Sequence, residues 1–95
     1  MPFNGNVNVP AGTWTQLTAN DVAAISVQNL SLNRLVFVMA TAGAVAPSGA
    51  GGGLRLDPSE AVEGLSLAGM FSGVASPTRV YGWSDSTMEV FVSHA

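Results

Sequence analysis

Short apolar runs that alternate with period two are the feature that most constrains the fold of this chain. In the last run, Met88, Val90 and Val92 fall on one face, while Glu89 and Phe91 fall on the other. Gly, Pro, Asn and Asp separate the runs, and no segment keeps the 3.6-residue period of a helix. The pattern therefore predicts an all-β chain of roughly six to eight short strands.

The strand-like segments follow one another along the whole chain. They are residues 6–9, 13–18, 22–30, 34–42, 54–56, 65–67, 79–85 and 87–95. Segment 34–42 is apolar on both faces, which favours a strand covered on both sides. Because the chain is short, we expect one of the two layers that cover this strand to come from a neighbouring subunit. Asp85 and Ser86 predict a short hairpin between the last two strands.

These segments predict a single small antiparallel β-sandwich or barrel that covers residues 1–95. Residues 1–12 are interpreted as an extended N-terminal arm. Residues 57–60, with the sequence DPSE, are interpreted as a turn, and at most one short helical turn is expected, at residues 68–72. Glycines at positions 64 and 69 disfavour a longer helix.

A glycine-rich segment, AGAVAPSGAGGGLRL at residues 42–56, invites a comparison with phosphate-binding loops. A P-loop needs a lysine, and this chain contains none. A dinucleotide fingerprint needs a third glycine where Leu54 stands, followed by a helix. The segment therefore predicts a glycine-rich hairpin loop that lies against a neighbouring subunit or tolerates exposure to solvent.

Charged residues make up only 9% of the chain, against about 25% in an ordinary soluble domain. Because the cores of protein interfaces are depleted in charge, this favours burial against other subunits. The alternative is a monomer coated with Asn, Ser and Thr. Nucleic acid is not expected as a partner, because the net charge is −3 and three scattered arginines do not form a basic patch.

The residue types that enzymes and metal sites use are scarce. There is no cysteine, and the one histidine, His94, precedes the final residue. We expect His94 at the surface or at a subunit contact rather than as a catalytic base. Asp57, Glu60 and Glu63 are interpreted as solvated acids rather than cation ligands. The sequence therefore predicts a protein that is not an enzyme, with no catalytic residue, cofactor or metal.

The sequence disfavours both a secreted protein and a transmembrane protein. The first residues lack the basic and apolar regions of a secretory signal, and the apolar run 35–46 is too short to cross a bilayer. We therefore expect synthesis in a cytoplasm and no membrane association.

Three aromatic residues could together bind a carbohydrate. Trp14, Tyr81 and Trp83 would make a flat platform for a sugar ring, with Arg79 beside the last two. The competing interpretation is an aromatic cluster in a core or interface, where Trp and Tyr are common.

The order of several segments resembles that of small structural proteins of tailed bacteriophages, above all capsid decoration (cement) proteins. The segments are TWTQLTANDVAAISVQN, then TAG and AP, LDPSE, LAGMFSG, TRVYGWS and the final VFVSHA. The resemblance implies a compact β domain, often a homotrimer, located on the capsid surface of the virion. Its partner would be the major capsid protein, and no catalytic residue or cofactor is implied.

In that role, the expected interface residues lie in the N-terminal arm and near the starts of strands. They are Phe3, Arg34, Arg55, Arg79, Tyr81 and Trp83. In such a charge-poor chain we expect each arginine to have a fixed carboxylate or carbonyl partner, and Arg79→Ala to weaken assembly without unfolding the domain. The alternative function is a carbohydrate-binding or adaptor module of a phage tail or head fibre, with Trp14, Tyr81 and Trp83 as its platform.

Overall fold

A computed structural model describes residues 2–49 and 51–95 as two antiparallel sheets of four strands each. The elements in chain order are β1 (Phe3–Val9), β2 (Thr15–Gln16), β3 (Ala24–Asn29), β4 (Val36–Thr41), β5 (Leu54–Leu56), β6 (Ala61–Ser66), α1 (Leu67–Met70), β7 (Arg79–Trp83) and β8 (Met88–His94). Sheet A has the order β1-β8-β3-β6, and sheet B has the order β2-β7-β4-β5. The prediction of a small all-β sandwich with one short helical turn is confirmed.

The core lies between the inner faces of the two sheets. Alternation along the strands places every second side chain there, so Val90 and Val92 of β8 are fully buried while Glu89 is exposed. The buried apolar cluster comprises Val9, Leu17, Val22, Ile25, Val27, Val36, Val38, Ala40, Leu56, Leu67, Val80, Met88, Val90 and Val92. Each fully buried valine or leucine contributes about 1.5–3 kcal/mol, which makes this cluster the main source of stability.

The short hairpin predicted at Asp85 and Ser86 is wrong. Strand β7 pairs with β2 and β4 in sheet B, whereas β8 pairs with β1 and β3 in sheet A. The connection instead crosses between the sheets, and Ser84 anchors it: its Oγ donates to the carbonyl of Leu35 at 3.0 Å. Both strands have an apolar face that must be buried, and placing them in opposite sheets turns both faces towards the shared core.

The extended N-terminal arm is also wrong for most of its length. All seven residues of β1 pair with β8, from Phe3 opposite His94 to Val9 opposite Met88. Val9 is fully buried, and Phe3 and Val7 pack against the core. The alternation of apolar and Asn residues therefore makes this segment an integral strand at one edge of sheet A.

Residues 57–60 form a turn, as predicted. The amide of Glu60 donates to the carbonyl of Asp57, and the amide of Asp57 donates to the Glu60 carboxylate at 2.8 Å. Strand β6, which follows, is longer than the predicted residues 65–67 and carries a bulge opposite Ser26. Within the described part of the chain, no helix is long and apolar enough to cross a membrane.

Candidate binding surfaces

The outer face of sheet B carries a cluster of large side chains, which we call the aromatic face. Register places Phe37 of β4 beside Trp83 of β7, and Met39 beside Tyr81. The Phe37 and Trp83 rings lie 6.2 Å apart between centroids with a 47° tilt, and Arg79 continues the row. This face comprises Phe37, Met39, Arg79, Tyr81 and Trp83, three of which were predicted as interface residues.

Two glycines of the glycine-rich segment, Gly51 and Gly53, lie against this same face. A Cβ atom on Gly51 would be 3.3 Å from the rings of Phe37 and Trp83, and one on Gly53 would be 2.8 Å from Cγ of Met39. The indole Nε1 of Trp14 donates to the carbonyl of Gly49 at 3.0 Å. The second cover of β4, expected from a neighbouring subunit, therefore comes at least in part from the chain itself.

Glycine is needed here for its backbone conformation and, at Gly51 and Gly53, also because the chain lies close to the sheet. Gly51, Gly52 and Gly53 all have φ between +78° and +96°, which other residues rarely adopt. Strands β4 and β5, which flank the segment, are antiparallel neighbours. The predicted glycine-rich hairpin includes Ala50, which lies outside the described residues, so the hairpin stays a prediction.

The three residues of the proposed sugar platform have different environments. Tyr81 is only 5% exposed, and its hydroxyl donates to Oε1 of Gln16 at 3.1 Å. Trp83 is half-buried beneath Gly51, and Trp14 is half-buried with its indole N–H bonded to Gly49. The buried Tyr81 has no open ring face to offer a sugar.

The three arginines also differ. Arg79 Nε lies 2.6 Å from Asp21 Oδ1, and Arg55 Nε lies 3.1 Å from Asp57 Oδ1. Arg34 is exposed and forms no ion pair with any described residue. The Arg55 pair is more than half exposed, so its contribution to stability is small. Arg34 is thus the arginine most available to another molecule.

His94 is buried within the fold, so the prediction that it lies at the surface is wrong, while the alternative of a subunit contact stays a prediction. Its side chain is 7% exposed and stacks on Phe3, with centroids 6.0 Å apart. Nε2 accepts a hydrogen bond from the amide of Ala19 at 3.0 Å, and Nδ1 lies 2.9 Å from the carbonyl of Ala95. A neutral ring with its proton on Nδ1 satisfies both bonds, which makes His94 a structural link between β8 and the segment after β2.

Asn29 organises one end of the sandwich, and sequence reasoning missed it. It is fully buried at the end of β3. Its Nδ2 donates to the carbonyls of Arg34 and Leu56, at 2.7 and 3.0 Å, and its Oδ1 accepts from the amide of Ser31. An Asn at a strand end looks like an ordinary turn residue, so no sequence signal marks this role.

The loop from Leu30 to Leu35, which we call the β3–β4 loop, is held by these bonds and by Ser31. Oγ of Ser31 accepts from the amides of Asn33 and Arg34, at 3.3 and 3.0 Å. The loop places Leu32, which is 88% exposed, close in sequence to the exposed Arg34. It therefore presents one apolar and one cationic side chain on a braced backbone.

The acids of residues 57–63 do not gather into a cation site. Asp57 pairs with Arg55, and the Glu60 carboxylate accepts from the backbone of the turn. Across residues 2–49 and 51–95, no group of three or more His, Asp or Glu side chains is placed to hold a metal ion.

A shallow depression of about 340 Å³ lies on the outer face of sheet A. Its lining includes Asn4, Ser26, Gln28, Phe91 and Glu63. Two of these are already engaged: Ser26 accepts from the amide of Gly64, and Gln28 donates to the carbonyl of Ser59. The depression is thus an open dip in the outer face of the sheet, lined by both polar and apolar side chains, rather than an enclosed pocket.

No family model, no curated protein and no solved structure matches this chain.

Proposed function

We propose that the protein is a virion structural protein, a decoration (cement) protein that binds the outer shell of a capsid and stabilises it. The observation that carries the proposal is the lack of charge on a small sandwich. The chain of 95 residues contains only three arginines, no lysine and six acidic residues. Such depletion is typical of surfaces that are buried against other proteins.

Exposed apolar side chains add to this support. Within residues 2–49 and 51–95, five large apolar side chains are exposed: Leu30, Leu32, Val45, Leu54 and Leu65. Burial of apolar area contributes about 25 cal/mol per Å², so even small contacts gain strength when they are repeated over a shell. A homo-oligomer would engage several coat subunits at once, which raises the effective concentration of each contact. The resemblance to decoration proteins implies a trimer.

The β3–β4 loop is the part of the chain best suited to touch the major capsid protein. Its exposed Leu32 would fill an apolar pocket, while Arg34 would pair with a carboxylate. Arg55 and Arg79 already have carboxylate partners within the chain. Among the predicted interface arginines, Arg34 is therefore the first choice.

This choice predicts the effect of loop variants on capsid binding. Leu32→Ser and Arg34→Ala should each weaken binding to undecorated capsids by about tenfold or more, a loss of about 1.4 kcal/mol. Sedimentation of capsids with added protein measures the bound fraction. Ser72→Ala, at an exposed residue outside the loop and outside this apolar set, is the control and should leave binding unchanged. Binding unchanged in both loop variants would reject the loop as the contact.

The function itself is tested by copy number. Particles of the phage whose genome encodes the chain are purified on a gradient, and this chain is quantified against the major coat protein by mass spectrometry. We expect amounts comparable to those of the coat protein. A few copies per particle would instead support the tail or fibre role, including the carbohydrate-binding or adaptor module. Absence from particles would reject both roles.

A further inference from the structure

Each sheet of the sandwich has two edges where backbone N–H and C=O groups are available to another strand. Three of these edges carry features that discourage pairing. Strand β2 is two residues long, β5 is three residues long and carries the charged Arg55, and β6 is interrupted by a bulge at Glu63 and Gly64. Short length, charge and bulges are the usual means by which proteins protect sheet edges.

The fourth edge, β1, has none of these protections. It is seven residues long, and it pairs with β8 without any shift in register. It contains no charged residue and no proline between Phe3 and Val9. Among the described residues, no strand pairs with its other side. A long, regular, uncharged edge of this kind is a template for strand addition.

The sequence of this edge is self-complementary about Asn6. Residues 2–10 read PFNGNVNVP, so an antiparallel copy centred on Asn6 places Asn opposite Asn at all three Asn positions. On the apolar side of the strand, Phe3 lies opposite Val9 and Gly5 lies opposite Val7. The prolines that flank the strand, at positions 2 and 10, also lie opposite each other. Because proline lacks an N–H, the two prolines limit the pairing to the seven residues between them.

We propose that β1 is a self-pairing edge at which two copies of this chain join through an antiparallel β1–β1 contact centred on Asn6. The two sheets A become one sheet of eight strands. The two-fold axis lies at Asn6, so Asn6 of one copy lies opposite Asn6 of the other. A charged residue at this position would face an identical charge, which would oppose the pairing. Asn tolerates this because its amide both donates and accepts hydrogen bonds.

Partial burial on the inner side of β1 supports a second copy as the occupant. Phe3 and Val7 are only half-buried, although both pack against the core. In the paired form, Phe3 lies opposite Val9 of the other copy and Val7 lies opposite its Gly5. The apolar layer then continues from one sandwich to the next, so pairing removes further apolar area from water.

This inference does not depend on the proposed capsid role. The resemblance to decoration proteins implies a trimer, whereas this inference predicts a dimer. A contact in which the same strand of two copies pairs with itself is two-fold symmetric and joins two subunits.

The experiment is sedimentation velocity of the purified full chain over a range of concentrations. We expect the wild type to sediment as a dimer. Asn6→Asp and Asn6→Lys each place two like charges opposite each other at the axis, so each should weaken self-association by about tenfold or more. An equimolar mixture of the two variants should restore the dimer, because opposite charges then meet.

Matched controls are Ala61→Asp and Ala61→Lys, on the exposed opposite edge of the same sheet. Both should remain dimeric. Far-UV circular dichroism of every variant monitors folding, and because Asn6 is exposed, no loss of fold is expected. A wild type that sediments as a monomer or trimer, an Asp variant that dimerises normally, or a mixture that stays monomeric would each overturn the proposal. None of these results alters the copy-number test of the capsid role.

Discussion

Gly53 lies against the backbone of β4. Its φ is +95°, and a Cβ atom would lie 2.7 Å from the carbonyl oxygen of Val38. That oxygen belongs to the backbone of β4, so it cannot move aside without disturbing the sheet. Gly52 has nearly the same φ, +96°, but nothing lies within 4 Å of its Cβ position.

This pair of glycines predicts two different costs. Gly52→Ala should lower the free energy of unfolding by about 1–2 kcal/mol, from backbone strain alone. Gly53→Ala should cost about 3 kcal/mol or more, because the clash adds to the same strain. Urea denaturation of both variants measures the difference. Equal midpoints would show that Gly53 does not lie against β4.

Asn29 is another residue that its surroundings do not allow to be replaced without a loss of stability. Asn29→Leu keeps a similar volume but leaves the carbonyls of Arg34 and Leu56 and the amide of Ser31 without their partner. We expect a loss of about 3 kcal/mol, because unpaired buried polar groups are costly. Thermal unfolding measures it, and Asn33→Ala, on the exposed part of the same loop, should change stability by less than about 0.5 kcal/mol. Similar losses in both variants would contradict the assigned role.

At the scale of elements, the turn at residues 57–60 stores strain at one position. Ser59 has φ +67°, the left-handed conformation that glycine adopts most easily. Pro58 precedes it, which is typical of a type II turn with glycine in the next position. The turn itself was predicted from DPSE, but the conformation of Ser59 was not, because Ser at this position is unusual.

Ser59→Gly should therefore stabilise the protein by about 0.5–1 kcal/mol, as the relieved strain exceeds the added freedom of the unfolded chain. Ser72→Gly is the control, because Ser72 is exposed and its φ is not positive. It should leave the protein unchanged or slightly less stable. Chemical denaturation compares the two, and stabilisation by both variants would point to an effect unrelated to the turn.

At the scale of the whole molecule, β1 joins the two ends of the chain, because it pairs along its full length with the final strand. Removing residues 1–9 would delete the fully buried Val9 and uncover Val90 and Val92 of β8. Each exposed valine forfeits about 1.5 kcal/mol or more. Together these losses are a large part of the 5–15 kcal/mol that stabilises an average domain.

We therefore expect the chain that lacks residues 1–9 to lose its cooperative thermal unfolding transition, as followed by circular dichroism. Removal of residues 1–2 alone should leave the transition in place, because Pro2 is exposed and lies outside the strand. A cooperative transition in the longer deletion would restore the interpretation of this segment as an arm.

The sequence alone determined the class of fold and most of the strands. Period-two alternation between Asn and Val in β1, and between apolar and polar residues in β8, specifies which face of each strand is buried. Local chemistry also determined the turn at DPSE and the shortness of α1. These features depend on neighbours in the chain, so a single sequence contains the information for them.

Only the tertiary structure decided which strands are neighbours and what covers them. The turn at Asp85 suits a hairpin and a crossover equally well, so its role depends on where β7 and β8 bury their apolar faces. The burial of His94 and the contacts of Asn29 join residues that are far apart in sequence. Gly51 and Gly53 lie against the aromatic face for the same reason. Long-range packing sets these contacts, and no local pattern encodes it.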